Sequence, residues 1–237
     1  MKRWAALLLF VAVLPVAAEE RAKKADKIEA DPAATKLLAD ARAARAEWDK
    51  FPGFTANLEV NIDGKVSRGS VTVGSKGKVE VKLDDDAAAD WAKRELSSVV
   101  GHRLPGTATL DTPCAFADDV KDHPLGRAIR VLNDEFHSSY RVRDRQIIEV
   151  NRQMETSRFT ITVMENRFNE EKKILPACYV VNTWDGKTNA LKSSQTFHQT
   201  WQRVGAFDLP ATVTVVTATA GKQEARSLRL TDCKLAP

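Results

Sequence analysis

The chain has 237 residues, with 36 Lys and Arg against 32 Asp and Glu and a net charge of +4. Without residues 1–18 it loses Lys2 and Arg3, leaving 34 basic against 32 acidic residues and a net charge of +2. That near-balance excludes the large, segregated positive excess by which proteins hold nucleic-acid phosphates, so no nucleic-acid partner is expected.

Lys2-Arg3, the apolar run Trp4–Val13 and the small-residue stretch Pro15-Val16-Ala17-Ala18 read as a secretory signal peptide cleaved after Ala18. The apolar run is too short to span a membrane, and no cysteine follows the cleavage site to carry a lipid anchor. The expected address is therefore exported, periplasmic or extracellular. Residues 19–30 are charged and form a leader, and residues 31–237 are expected to form one β-rich domain. In an oxidising compartment, Cys114, Cys178 and Cys233 allow one bridge with one thiol left over, and three free thiols acting as small apolar residues fit equally. Their spacing does not choose among the pairings, and there is no Cys-x-x-Cys motif.

Asp31-Pro32 starts a helix, and Leu37, Ala41, Ala44, Trp48 and Phe51 recur at helical spacing, which predicts an amphipathic helix over 32–50 packed on the domain's own sheet. Pro52-Gly53 breaks it. Phe54, Ala56, Leu58, Val60 and Ile62 then alternate with polar residues, the clearest strand in the chain. Asp63-Gly64 is a two-residue hairpin turn. The return strand near 65–74 changes parity between Val66 and Val71, which predicts a bulge near Gly69. A third strand carries Val79, Val81 and Leu83. Asp84-Asp85-Asp86 opens a second helix whose Ala88, Ala92, Leu96 and Val99 share a face, ending near Gly101. Residues 105–125 are irregular and suit a lid or an edge cover. Strands are predicted at 126–133, 136–143, 146–152, 157–167, 176–184, 190–203, 209–219 and 223–233.

Tyr140 to Arg152 form a tight hairpin turning at Asp144-Arg145, with Arg141 and Arg143 on one face. Ile148 and Val150 fall on one face of the return strand, opposite Ile147 and Glu149. The run Ser138–Met154 resembles the signature of an uncharacterised bacterial family, domain-of-unknown-function family 3386. Residues 51–60, followed by a charged strand and a helix leading to Gly101–Pro105, fit the same pattern. The resemblance spans roughly 30–235 and implies no activity or catalytic residues.

About eleven strands with two helices that do not alternate with them exclude a parallel Rossmann-like sheet. The expected fold is α+β, mostly β: a large curved antiparallel sheet forming a half-open barrel, with both helices on its concave face or mouth. This layout resembles the lipoprotein-carrier proteins of the bacterial envelope, an architectural analogy.

Asp134, His137, Ser138 and Ser139 supply the residue types of a nucleophilic site. Neighbours on a strand point to opposite faces, however, and no Gly-x-Ser-x-Gly elbow exists, so no catalytic residue is assigned. Asp118, Asp119, Asp122 and His123 lack the glycine and periodicity of a calcium loop, and neither a metal nor a cofactor is expected. The candidate ligand-binding residues are Phe54, Leu58, Trp91, Phe159, Trp184 and Trp201 around an apolar cavity, with Arg141 and Arg143 meeting an anionic head group. The leading expectation is a monomeric, non-enzymatic exported module holding an apolar or lipid-like ligand. The alternatives are an interaction module of the envelope with a filled core, and a hydrolase with a spatially assembled site.

Overall fold

The computed structural model describes residues 28–106 and 111–237. The expected signal peptide, and the leader as far as residue 27, lie outside the described residues.

Helix α1 (Pro32–Ala43) starts as its sequence dictates. The Asp31 carboxylate accepts the N–H groups of Ala33 and Ala34 at 2.7 and 3.2 Å, with Pro32 in the first turn. It ends at Ala43 rather than near residue 50, because the following backbone finds tertiary partners. The Ala46 N–H donates to Ile174 O at 3.0 Å, the Ile174 N–H to Ala44 O at 2.9 Å, and the Trp48 N–H to Arg103 O at 2.7 Å. Trp48 and Phe51 therefore enter the core from an extended segment, not from a helix face.

Strands β1 (Gly53–Ile62), β2 (Lys65–Gly74) and β3 (Val79–Lys82) form the expected meander. Asp63 and Gly64 adopt φ of 47° and 94°, the left-handed pair that a two-residue hairpin needs. The bulge expected near Gly69 is absent: the register runs unbroken from Gly53 opposite Gly74 to Ile62 opposite Lys65. Glycine is required there for a different reason, since a Cβ at residue 69 would lie 1.9 Å from the Lys82 carbonyl oxygen. Helix α2 (Asp86–Gly101) is capped by Asp85, which accepts the Ala88 N–H at 2.9 Å, and it buries Ala88, Trp91, Ala92, Leu96, Val99 and Val100.

The irregular stretch hides a short strand, β4 (Cys114–Phe116), too brief to show alternation; it pairs with β5 (Arg127–Val131). The chain then runs through β6 (Ser139–Arg143), β7 (Gln146–Gln153), β8 (Ser157–Phe168), β9 (Ile174–Asp185), β10 (Leu191–Val204), β11 (Phe207–Thr219) and β12 (Lys222–Leu235). All belong to one antiparallel sheet ordered β3-β2-β1-β12-β11-β10-β9-β8-β7-β6-β5-β4. The sheet curves without closing, so β3 and β4 remain as edges.

Because β12 pairs with β1, the first meander is stitched to the long one toward the β3 edge of the sheet. Helix α2 covers β1 and β3, and α1 covers β4, β6 and β7. Each helix organises its own apolar cluster. Around α2 pack Phe54, Leu58, Val71, Leu96, Val213 and Leu228, among others. Around α1 pack Leu38, Ala41, Cys114, Ile129, Tyr140 and Val142. All three cysteines are free thiols, with Cys114 buried.

Candidate functional site

Two helices with separate clusters leave space between them. A cavity of about 580 Å³ lies there, under α1, α2 and the segment after each, over the concave side of β7–β10. That volume falls within the range of small-molecule sites, about 300–1,000 Å³.

Alternation along long strands builds the floor. Phe159, Ile161 and Val163 of β8 face in, as do Tyr179 and Val181 of β9 and Phe197, Gln199 and Trp201 of β10. Phe197 belongs to the α2 cluster and Tyr179, Val181 and Trp201 pack against its edge, whereas Phe159, Ile161 and Val163 are half-buried and join neither cluster. Tyr179 and Phe197 stack at 4.6 Å between centroids, and the buried Gln199 Nε2 donates to the Tyr179 hydroxyl at 3.0 Å. Burial holds the Tyr179 phenol above its ordinary range. The Trp201 indole N–H donates to Pro176 O at 2.9 Å, fixing the ring against the cavity.

Local irregularities aim other side chains. In the β6–β7 hairpin, Val142 pairs with Ile147 and Arg141 with Glu149, so Ile148 is an extra residue. The bulge changes the parity read from sequence: Ile147 and Val150, not Ile148 and Val150, line the cavity. In β8, Val163 opposes Tyr179 and Glu165 opposes Cys178, which leaves Met164 as the extra residue and Asn166 turned inward.

The cavity is also cationic. Arg42, Arg45 and Arg103 line it from the helix side with His102 and Glu95, and Arg152, the register partner of Phe159, lines it from the end of β7 near Asp134. Arg103 is only 4% exposed. Its guanidinium donates to Ala46 O at 3.0 Å and lies 5.8 Å from the centroid of the Trp201 ring. Burial, with Arg45 nearby, pushes it down to about 9, which leaves it a cation at neutral pH. Arg45 donates to His102 O at 2.8 Å, and burial lowers it as well. Arg152 sits 5.8 Å from the Phe136 centroid, and its Nε is buried without a hydrogen-bond partner. His102 is drawn down to about 4, first by desolvation and then by Arg45, Arg103 and Arg152. His102 as a residue is exposed, so solvent screens part of that repulsion. Glu95 is raised by burial, whereas Asp134 accepts the Ser138 N–H at 2.7 Å and stays low through its hydrogen bonds.

Of the residues expected at a ligand site, Phe159 and Trp201 line this cavity. Phe54 and Leu58 of β1 and Trp91 of α2 lie instead in the packed cluster under α2, because the helix turns its Trp91 face directly onto the strand that carries the other two. Trp184 has the opposite parity to Tyr179 and Val181 and packs against Arg158, 4.8 Å from guanidinium to ring centroid. Arg141 and Arg143 point away from Tyr140 and Val142, hence away from the cavity. Arg141 donates to Gly126 O at 3.1 Å and approaches Asp118 and Glu149 at 3.4 and 3.8 Å, while Arg143 donates to Pro124 O. Both hold the 117–126 loop to the sheet.

Asp134–Ser138 form a turn that leads into Ser139 at the start of β6: His137 is exposed with φ of 46°, and its N–H donates to Asp134 O. In the acidic loop, Asp118 accepts the Val120 N–H and His123 Nδ1 the Leu125 N–H. Among the described residues no three His, Cys, Asp or Glu side chains converge as a metal site. Sequence reasoning passed over Arg45, Arg103 and Arg152. Arg45 and Arg103 leave helix ends and Arg152 ends a bulged strand, so no periodicity marked them as facing one another.

Fold and site together define a half-barrel protein: an unclosed antiparallel sheet whose concave face is roofed by two helices over an apolar-floored, cationic-walled cavity. Residues 29–236 match the family described as "Protein of unknown function (DUF3386)", and the chain belongs to that family. No curated protein matches the chain. Among solved structures, a LolA superfamily protein from Nitrosomonas europaea is similar at 12% identity and TM-score 0.31, over 86% of this chain and 94% of that one. A domain assigned by name to outer membrane lipoprotein sorting, from Vibrio parahaemolyticus, is similar at 9% identity and TM-score 0.34, over 85% and 91%.

Proposed function

We propose that the protein is a non-enzymatic, exported binding module that holds an apolar or lipid-like ligand between the helices and β7–β10. The observation that carries this reading is the cavity of about 580 Å³, whose floor is a continuous set of half-buried apolar side chains on three adjacent strands. A core built only for stability buries such side chains against one another, as the cluster under α2 does. Phe159, Ile161 and Val163 are left facing space, and an alkyl chain would gain about 0.8 kcal/mol per CH₂ removed from water there. Export rests on the basic–apolar–small order of residues 2–18. No helix among the described residues is long and apolar enough to cross a membrane.

The test is mass spectrometry of an organic extract of protein purified natively from an exported preparation, followed by titration of the delipidated protein with a fluorescent fatty acid. A stoichiometric co-purified lipid, or saturable uptake that Ile161→Trp abolishes without unfolding the protein, supports the reading. No extracted lipid and no uptake overturn it and favour an interaction module.

A further inference from the structure

Among the described residues outside the cavity, the exposed Arg94, Arg130 and Arg145 are left to solvent without a carboxylate within 4.0 Å, Arg127 and Arg158 lie on aromatic rings, and several other arginines are paired. Arg203 meets Asp208 at 3.0 Å and also Glu171, Arg68 and Arg229 share Glu59 at 2.8 and 3.1 Å, and Arg226 meets Glu224 at 2.6 Å. What distinguishes the cavity is that it gathers three unpaired arginines in one place. Among the described residues, Arg45, Arg103 and Arg152 form no ion pair within 4.0 Å, although Arg103 is the most deeply buried arginine among them. Stability alone arranges charges the other way, since a buried charge is costly unless paired. What these guanidinium groups do contact is carbonyl oxygen and aromatic faces: Ala46 O and Trp201 for Arg103, His102 O for Arg45, Phe136 for Arg152. Those contacts orient a guanidinium without neutralising it, and each guanidinium has five N–H donors.

The acids nearby act only at a distance. Glu47, which is exposed, offsets part of the cost of Arg45 and Arg103, and Asp134 feels Arg152 while its carboxylate accepts the Ser138 N–H, but none of them pairs with these arginines within 4.0 Å; Glu95 is half-buried on the α2 side. The three arginines come from the α1 exit, the α2 exit and the end of β7, so the convergence is made by the fold and not by a local charge run. All of them border the same cavity as the apolar floor.

We infer that Arg45, Arg103 and Arg152 are the head-group end of the cavity, a site for the oxyanion of an amphiphile, a carboxylate or phosphate whose hydrocarbon part lies along β8–β10. This rests on the apolar-ligand reading above and specifies its chemical class. Arginine suits the task because its planar fork matches carboxylate and phosphate oxygens in pairs. His102 is depressed first by desolvation and then by the field of these arginines, and a bound anion would offset the second contribution.

The experiment compares two ligands with the same hydrocarbon chain, oleate and oleyl alcohol. Each is titrated into the delipidated full chain at low salt, below its aggregation concentration, with Trp201 fluorescence and calorimetry as readouts; inorganic phosphate forms a third arm. Oleate is expected to bind about 10- to 100-fold tighter than the alcohol, the range for charge-assisted hydrogen bonds in a desolvated site. Arg103→Met and Arg152→Met should each bring oleate toward the alcohol's affinity and leave the alcohol within about 2-fold, with Arg152→Met carrying the test if Arg103→Met does not fold. Equal affinities in the wild type overturn the head-group assignment and leave the apolar reading standing. Failure of both ligands overturns both. Phosphate binding as tightly as oleate, with no binding of the alcohol, also overturns the assignment, because the cluster would then serve a free anion.

Discussion

Replacing Arg103 by Met sets two terms of opposite sign against each other. The fall of the guanidinium from 12.5 to about 9 corresponds to about 5 kcal/mol against the cation in the empty fold. With only 4% of the residue exposed, solvent does little to relieve it. Met removes that penalty and keeps an unbranched apolar stem beside Trp201. It also removes the 3.0 Å bond to Ala46 O, about 1.5–3 kcal/mol for a charged donor, and a cation–π contact at 5.8 Å, about 0.5–2 kcal/mol. The 3.5 Å approach to Ile174 O adds little, since that carbonyl already accepts the Ala46 N–H. The balance favours Met by about 0–3 kcal/mol, so the ligand-free variant should be as stable as wild type or more stable, with Tm raised by up to roughly 10 °C. Guanidinium and thermal unfolding of delipidated protein, followed by far-UV circular dichroism, measure this. A loss of more than about 2 kcal/mol would refute the reasoning: Arg103 would then be a strut whose carbonyl contacts outweigh its burial. A gain, together with lost oleate binding, is the signature of a residue kept for binding at the expense of stability.

Three further outcomes are expected. Protonating His102 opposes folding, because its folded value of about 4 lies below the 6.5 of the free side chain; its contribution is complete above pH 6.5, declines as pH falls toward 4, and is absent below, and His102→Gln should flatten the stability–pH curve in that window. Leu38→Ala, at a position 1% exposed on the inner face of α1, should cost about 2–5 kcal/mol and lower Tm by roughly 5–15 °C in a thermal melt. Gly126→Ala forces a Cβ to within 2.2 Å of Val142 O at φ of 88°, and should cost about 1–3 kcal/mol in denaturant unfolding while leaving the cavity, which Gly126 does not line, able to bind the same probe.

Much of the architecture was legible because it is written in short-range patterns. Phe54 to Ile62 alternate and form β1; Asp63-Gly64 and Asp144-Arg145 take positive φ and make the turns; Asp31 and Asp85 cap the two helices. The mistaken boundaries have a common cause. Residues 44–50 carry helical spacing, yet Ile174 and Arg103, distant in sequence, supply their backbone partners. Gly69 resembles a bulge residue, but what requires it is the approach of the Lys82 carbonyl. Strand β4 has no pattern of its own and exists because β5 offers it an edge.

The sequence by itself determined that this is a β-rich chain with two amphipathic helices and an antiparallel meander, because alternation, caps and turn residues act within a few positions of one another. Which aromatics face a cavity was decided only in three dimensions. Phe159 and Trp201 border open space, whereas α2 lies over β1 and β3 and closes its own Trp91 together with Phe54 and Leu58 into a packed cluster. The arginines were decided in the same way. The conspicuous Arg141 and Arg143 are spent on holding a loop, while Arg45, Arg103 and Arg152, far apart in the chain, are brought to one cavity by two helix ends and a bulged strand. Convergence of charge is a property of the tertiary path, and no window of sequence contains it.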